Sequence, residues 1–228
     1  MPATHTDKAF EQDLRDLRAQ LLHMGGLVEK LIAKSAQALA DQDVDIARKV
    51  QDADVEVNRL EVEIDEMCRR ILALRQPAAS DLRFITTALK IVTDLERCGD
   101  LAVNIAGAAI SLAEASPIQT YADLPKLAEA AQRQLSAALD AFVAADAVKA
   151  EAVLAGDDYL DALYAKIFSG TLNHMMEESK NIRRGTGVLF AAKHLERIGD
   201  HAVNIAEMVI YMVRGTDVRH PRSRGLAR

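Results

Sequence analysis

Glu96, Asp100 and Asn104 fall at i, i+4 and i+8, and Glu196, Asp200 and Asn204 repeat that spacing later in the chain. On a helix, at about 100° per residue, each trio stays within a sector of about 80°. All six side chains offer oxygen ligands. Hard divalent cations such as Mg²⁺, Ca²⁺ or Mn²⁺ take such ligands, and iron joins them where a histidine is added. Like charges at i, i+4 destabilise a helix by about 0.2–0.5 kcal/mol, and the same arrangement in both halves asks for a compensating cation. Asp54 and Asn58 form a further i, i+4 pair, as do Asp157 and Asp161. Carboxylates that face one another across a helical bundle are a common way to hold metal ions.

A second reading stands beside the first. Arg97 and Arg197 directly follow the two glutamates, and Arg83 and Arg183 lie upstream, so a surface ion-pair network accounts for the acids without a metal. Gly99 and Gly199 sit inside the same segments. A helical glycine costs about 1 kcal/mol relative to alanine, which points to close backbone approach there, for metal binding or for packing alone. His194 and His201 occur only in the second half, in place of Asp94 and Leu101. His201 adjoins Asp200 and is a conceivable extra ligand, but the plain helical reading is preferred for it, as for His23 and His174. Met175, Met176, Met208 and Met212 read as core fillers. Cys68 and Cys98 read as buried thiols rather than a disulfide framework.

The elements that must position these residues read as helices almost throughout. Leu14, Leu17, Leu21, Met24, Val28, Leu31 and Ile32 recur largely at spacings of three and four. The pattern predicts a helix from about Phe10 to Ala40 and a second, capped by Asp43, to about Leu74. A break follows around Pro77, then a third helix from about Leu82 to Ala115. Residues 117–125 are the linker candidate. Three more helices are expected, at about 126–144, 146–180 and 182–214, with a basic, flexible tail from Gly215.

The halves repeat each other. Residues 94–106 read DLERCGDLAVNIA and residues 194–206 read HLERIGDHAVNIA, differing at three positions. The offset is 100 residues between Glu96 and Glu196, against 103 between Asp54 and Asp157. The difference falls in the connection between the second and third helices, where loop length is free to vary. Each half is therefore expected to be an antiparallel three-helix bundle: 1–117 and 118–214, with 215–228 as tail. Antiparallel packing would bring Asp54 and Asn58 to Glu96 and Asp100, and Asp157 and Asp161 to Glu196 and Asp200.

Composition narrows the function classes. The 228 residues are 50% hydrophobic but only 4% aromatic, which suits helices. The net charge of −6 with no basic stripe gives nucleic-acid binding little support. The first residues lack the apolar core of a signal peptide, and no apolar run is long enough to insert directly in a membrane, so a cytoplasmic location is expected. There is no GxxxxGK[ST] loop, GxSxG elbow or CxxC pair, and no histidine has Glu three residues before it. Nucleotide hydrolysis, serine hydrolysis, dithiol redox chemistry and a ferritin-like oxidase therefore lack their motifs.

The repeated Leu-Glu-Arg-x-Gly-Asp-x-Ala-x-Asn-Ile segments at 95–105 and 195–205 resemble the signature of the PhoU family. So do Leu74-Arg75-Gln76-Pro77-x-x-x-Asp81-Leu82-Arg83 and Tyr211-x-x-x-Gly215-x-Asp217. The resemblance implies an all-α fold of two tandem, pseudo-symmetric three-helix bundles that assembles as a homodimer. It implies multinuclear metal clusters on the Glu96-x-x-x-Asp100 and Glu196-x-x-x-Asp200 motifs, with Asp54, Asn58, Asp157 and Asp161 as second-helix partners. Asn58 stands where the second half has Asp161, so the first site is the less charged. The implied function is non-catalytic. Such proteins link the phosphate ABC transporter, through its PstB-like ATPase subunit, to a PhoR-like sensor histidine kinase, and so restrain uptake and the starvation response. The alternatives are a metal-dependent enzyme acting on a phosphorylated substrate and a metal-free helical scaffold.

Overall fold

The computed structural model describes residues 8–113 and 123–218, and the described part is helical. Residues 114–122 and 219–228 lie outside it, and with them most of the linker expected at 117–125 and of the tail expected from Gly215. Helix α1 (Lys8–Asp41) buries Leu17, Leu21, Met24, Val28, Leu31 and Ile32 along one stripe. Asp43 then caps α2 (Val44–Arg75), accepting the Ile46 N–H at 2.9 Å. A capping Asp satisfies one of the four donors that a helix start leaves without an intrahelical partner. Gln76 ends α2 in the left-handed region at φ 43°, and Pro77 separates it from α3 (Ala79–Leu112).

The second half opens with α4 (Leu124–Ala144). Pro125 lies in its first turn, where proline's missing N–H is harmless, and so belongs to the helix rather than to the linker. Asp146 repeats the role of Asp43, accepting the Val148 and Lys149 N–H groups. The second helix of this half departs from the single element expected at 146–180. It divides at Gly156 into α5 (Ala147–Ala155) and α6 (Asp157–Glu177), followed by a 3₁₀ turn at Ser179–Asn181. Gly156 corresponds to Ala53 at the 103-residue offset, so the first half has no glycine at that point and stays continuous. Helix α7 (Ile182–Arg214) ends at Gly215, whose φ of 69° allows its N–H to return to the Tyr211 carbonyl.

α1, α2 and α3 pack as one three-helix bundle, and α4, the α5–α6 pair and α7 as the other. The two share one apolar core and meet along α3 and α7 and along α1 and α4. α3 and α7 run antiparallel: Asp94 meets His201, Arg83 meets the Met212 carbonyl, and Leu112 lies against Gly187. Phe84 of α3 stacks on Phe142 of α4 at 5.4 Å, pinning the bundles together at one end. Cys68 and Cys98 are buried free thiols, and Met208 and Met212 fill the core. Met176 does not: it is 75% exposed, while the preceding Met175 is half-buried against Gly185.

Candidate metal-binding faces

Glycine sets the first face. A Cβ on Gly99 would lie 2.9 Å from Asp54 Oδ1 and 3.3 Å from Val57 Cγ1. The missing methyl lets α2 come against α3 so that the Asp54 carboxylate reaches the α3 backbone. Asn58, one turn on, donates to Asp54 Oδ2 at 3.0 Å. The other oxygen, Oδ1, is buried without a hydrogen-bond partner. A buried acceptor left unpaired costs about 1–3 kcal/mol. Burial raises the Asp54 carboxyl above the usual carboxylate range, and the nearby Asp100 raises it further, while the Asn58 bond opposes both. Glu96 is raised by burial and then by Asp100, with Glu61 adding repulsion and Arg97 opposing.

The ion-pair reading accounts for part of this face. Arg97 Nη1 lies 3.2 Å from Asp100 Oδ2, and its Nε lies 3.4 Å from Glu96 Oε2. Arg97 itself is more than half exposed, so its pairs are solvated and weak. It does not reach Asp54 Oδ1.

The second face is built alike and balanced differently. A Cβ on Gly199 would lie 2.8 Å from Leu160, the residue that matches Val57. The acids gather here too. Asp200 is raised by burial and then by Glu196, with Asp157 and Asp161 contributing, and Asp161 is raised by burial and then by Asp157 and Glu196. The counter-cation is Lys193, whose Nζ lies 2.6 and 2.5 Å from the two Glu196 oxygens. Arg197, the match of Arg97, takes no part. Gln134 of α4 also joins, donating to Asp157 Oδ1 at 3.1 Å. Sequence reasoning did not find Gln134: at the 103-residue offset its counterpart is Leu31, so the repeat carries no signal for it.

Asn104 and Asn204 stand apart from these clusters. Asn104 is exposed and lines a groove with Arg183, Gly187, Phe190 and His194 of α7. Asn204 lines the pseudo-equivalent groove with Lys90, Thr93 and Asp94 of α3. The drift of about 80° over eight residues turns both toward the α3–α7 seam. His201, the extra ligand candidate, is also at that seam, its Nδ1 2.7 Å from Asp94 Oδ1.

Among the described residues, no three His, Cys, Asp or Glu side chains converge closely enough to hold a metal ion as they stand. The donor chemistry nevertheless fits a hard cation: oxygen ligands on two facing helices, mutual repulsion between them, and an unpartnered buried oxygen at Asp54.

The PhoU domain family model matches the chain twice, over residues 21–109 and 124–209. A phosphate-specific transport system accessory protein PhoU homolog from Pseudomonas aeruginosa is 46% identical over 218 residues, spanning 95% of this chain and 90% of that protein. The corresponding homolog from Rhizobium meliloti is 40% identical, spanning 97% and 94%. The crystal structure of PhoU from Pseudomonas aeruginosa is similar at a TM-score of 0.87 and 45% identity, covering 91% of this chain and all of that one (100%). The phosphate transport system regulatory protein PhoU from Streptococcus pneumoniae follows at 0.85 and 31%, covering 92% and 99%. With two matched domains, relatives at this identity over nearly the full length and the same paired bundles, the chain belongs to the PhoU family.

Proposed function

We propose that this chain is a cytoplasmic, non-catalytic regulator of phosphate uptake. The observation that carries the reading is the double PhoU match, joined to relatives of nearly full length that are named phosphate-specific transport system accessory proteins. The chain couples the phosphate ABC transporter, through its ATPase subunit, to a sensor histidine kinase, and it acts as a homodimer. To shift either partner, it must bind one conformation of that partner better than the other. Deleting the gene tests this reading: phosphate-starvation genes are then expressed even in abundant phosphate. Normal repression in the deletion strain contradicts it.

The two acidic faces hold metal ions in this reading. Asp54, Glu96 and Asp100 serve one face, and Asp157, Asp161, Glu196 and Asp200 the other. The ion offsets the repulsion between the carboxylates and ties the second helix of each bundle to the third. What supports this is the unpartnered Asp54 oxygen and the upward shift of Asp54 and Glu96 on one face and of Asp161 and Asp200 on the other. Elemental analysis of protein purified without chelator checks it.

A further inference from the structure

The groove at the α7 start of the α3–α7 seam differs in charge from its pseudo-symmetric twin. It measures about 280 Å³, close to the lower end of small-ligand pockets, which span roughly 300–1,000 Å³. Asn104, Ser111, Arg183, Phe190 and His194 line it. The twin offers Lys90, Thr93, Asp94 and Asn204, and there Asp94 is engaged by His201.

Its arginine is without a carboxylate partner. By the repeat, Arg183 corresponds to Arg83, whose Nε donates to the Met212 carbonyl at 3.0 Å. The matching acceptor for Arg183 is the Leu112 carbonyl, but Gln42 Nε2 is directed at it, at 3.5 Å. Among the described residues, the Arg183 side chain forms no ion pair or hydrogen bond. Arg197, which is not part of the groove lining, also has no carboxylate partner among the described residues, because Lys193 neutralises Glu196 in its place. Arg197 instead acts on His194, adding to the burial that lowers the pKa of that ring, and His194 Nδ1 is buried with no hydrogen-bond partner. Asn104 is exposed at the groove, and Ser111 spends its hydroxyl on the Gly107 carbonyl at 3.0 Å.

Helix poles contribute with both signs. Arg183 lies in the first turn of α7, whose positive end favours an anion. The negative end of α3 is also close, but Gln42 and the Ala113 N–H are directed at two of its last carbonyls.

We propose that this groove binds an oxyanion, either free phosphate or the phosphoryl group of a phosphomonoester, through Arg183, His194 and Asn104. Arg183 provides a planar fork of donors suited to phosphate oxygens. Phe190, 61% exposed at the rim, offers a face for an organic substituent. The inference stands on this groove alone and does not depend on the regulatory reading.

Calorimetric titration of the full chain tests it, after EDTA treatment so that metal at the acidic faces cannot capture the anion. The probes are inorganic phosphate and AMP, in oxyanion-free buffer. Arg183→Gln should weaken binding roughly tenfold or more, the loss of a charge-assisted contact. His194→Asp, which installs the residue found at the twin position, should abolish it, and Lys90→Gln in the twin groove should leave it unchanged. Arg183 is exposed, so R183Q decides the matter even if H194D fails to fold. Equal affinity for the two probes assigns free phosphate; tighter AMP binding that falls with Phe190→Ala assigns a phosphomonoester. Absence of binding to both probes at millimolar concentration overturns the proposal, as does binding that R183Q leaves intact.

Discussion

Nδ1 of His201 lies 2.7 Å from Oδ1 of Asp94, tying α7 to α3 and thereby one half of the chain to the other. Both side chains are only 17% exposed, so little solvent competes for the contact. The pair occupies two of the three positions at which the repeated segments differ, and its pseudo-symmetric counterpart would be Leu101 with His194. A double-mutant cycle with Asp94→Asn and His201→Leu, read by urea unfolding, is expected to give a coupling energy of about 1 kcal/mol. Strict additivity of the two substitutions would show that the contact contributes nothing.

The acidic faces predict how metal-free stability varies with pH. Burial first, then like-charged neighbours, raise Asp54 and Asp200 above the ordinary carboxylate range. A raised native pKa means that the folded chain retains a proton the unfolded chain has already released. These groups therefore weaken the fold as pH climbs from the ordinary value of about 4 toward neutrality, and the penalty disappears as pH falls back. Asp54→Asn removes the ionisable group and keeps an acceptor for Asn58. Without metal, the variant is expected to gain stability over wild type at neutral pH and to lose that advantage in acid, as followed by thermal unfolding across the range. An advantage that grows in acid would contradict the assigned repulsion.

Metal stoichiometry separates the two faces. The double substitution Glu196→Ala with Asp200→Ala is expected to remove the metal of the second face and leave that of the first, by inductively coupled plasma mass spectrometry. Unchanged metal content would exclude the second face as a site.

The break at Gly156 has its own test. Its backbone lies in the right-handed helical region, at φ −80° and ψ −10°, and an added Cβ meets nothing nearer than 3.4 Å. Gly156→Ala should therefore raise stability by about 0.5–1 kcal/mol through lost chain freedom in the unfolded state, measured by chemical denaturation. A destabilised variant would mean that the break depends on more than the glycine.

How far the sequence discloses this molecule varies from residue to residue. Asp43, Pro77 and the paired Glu-Arg-x-Gly-Asp segments act locally or through repetition, and helix order, repeat and facing acids follow from them. The close approach marked by Gly99 was legible because a helical glycine has a cost that needs a reason. Tertiary partners were not. Nothing near Gln134 in sequence announces its bond to Asp157, and the pairing of His201 with Asp94 depends on the relative placement of two helices about one hundred residues apart. Asn104 shares the pattern of the acids, yet faces a groove because every four residues carry a helix about 40° past a full turn.

The central claim is that the chain joins a phosphate transporter to its sensor kinase. The most direct test is co-purification of the chain from cells with intact membranes, grown in high and in low phosphate. The account predicts recovery of the transporter ATPase and the kinase in amounts that change with phosphate. Recovery of neither protein under both conditions would contradict it.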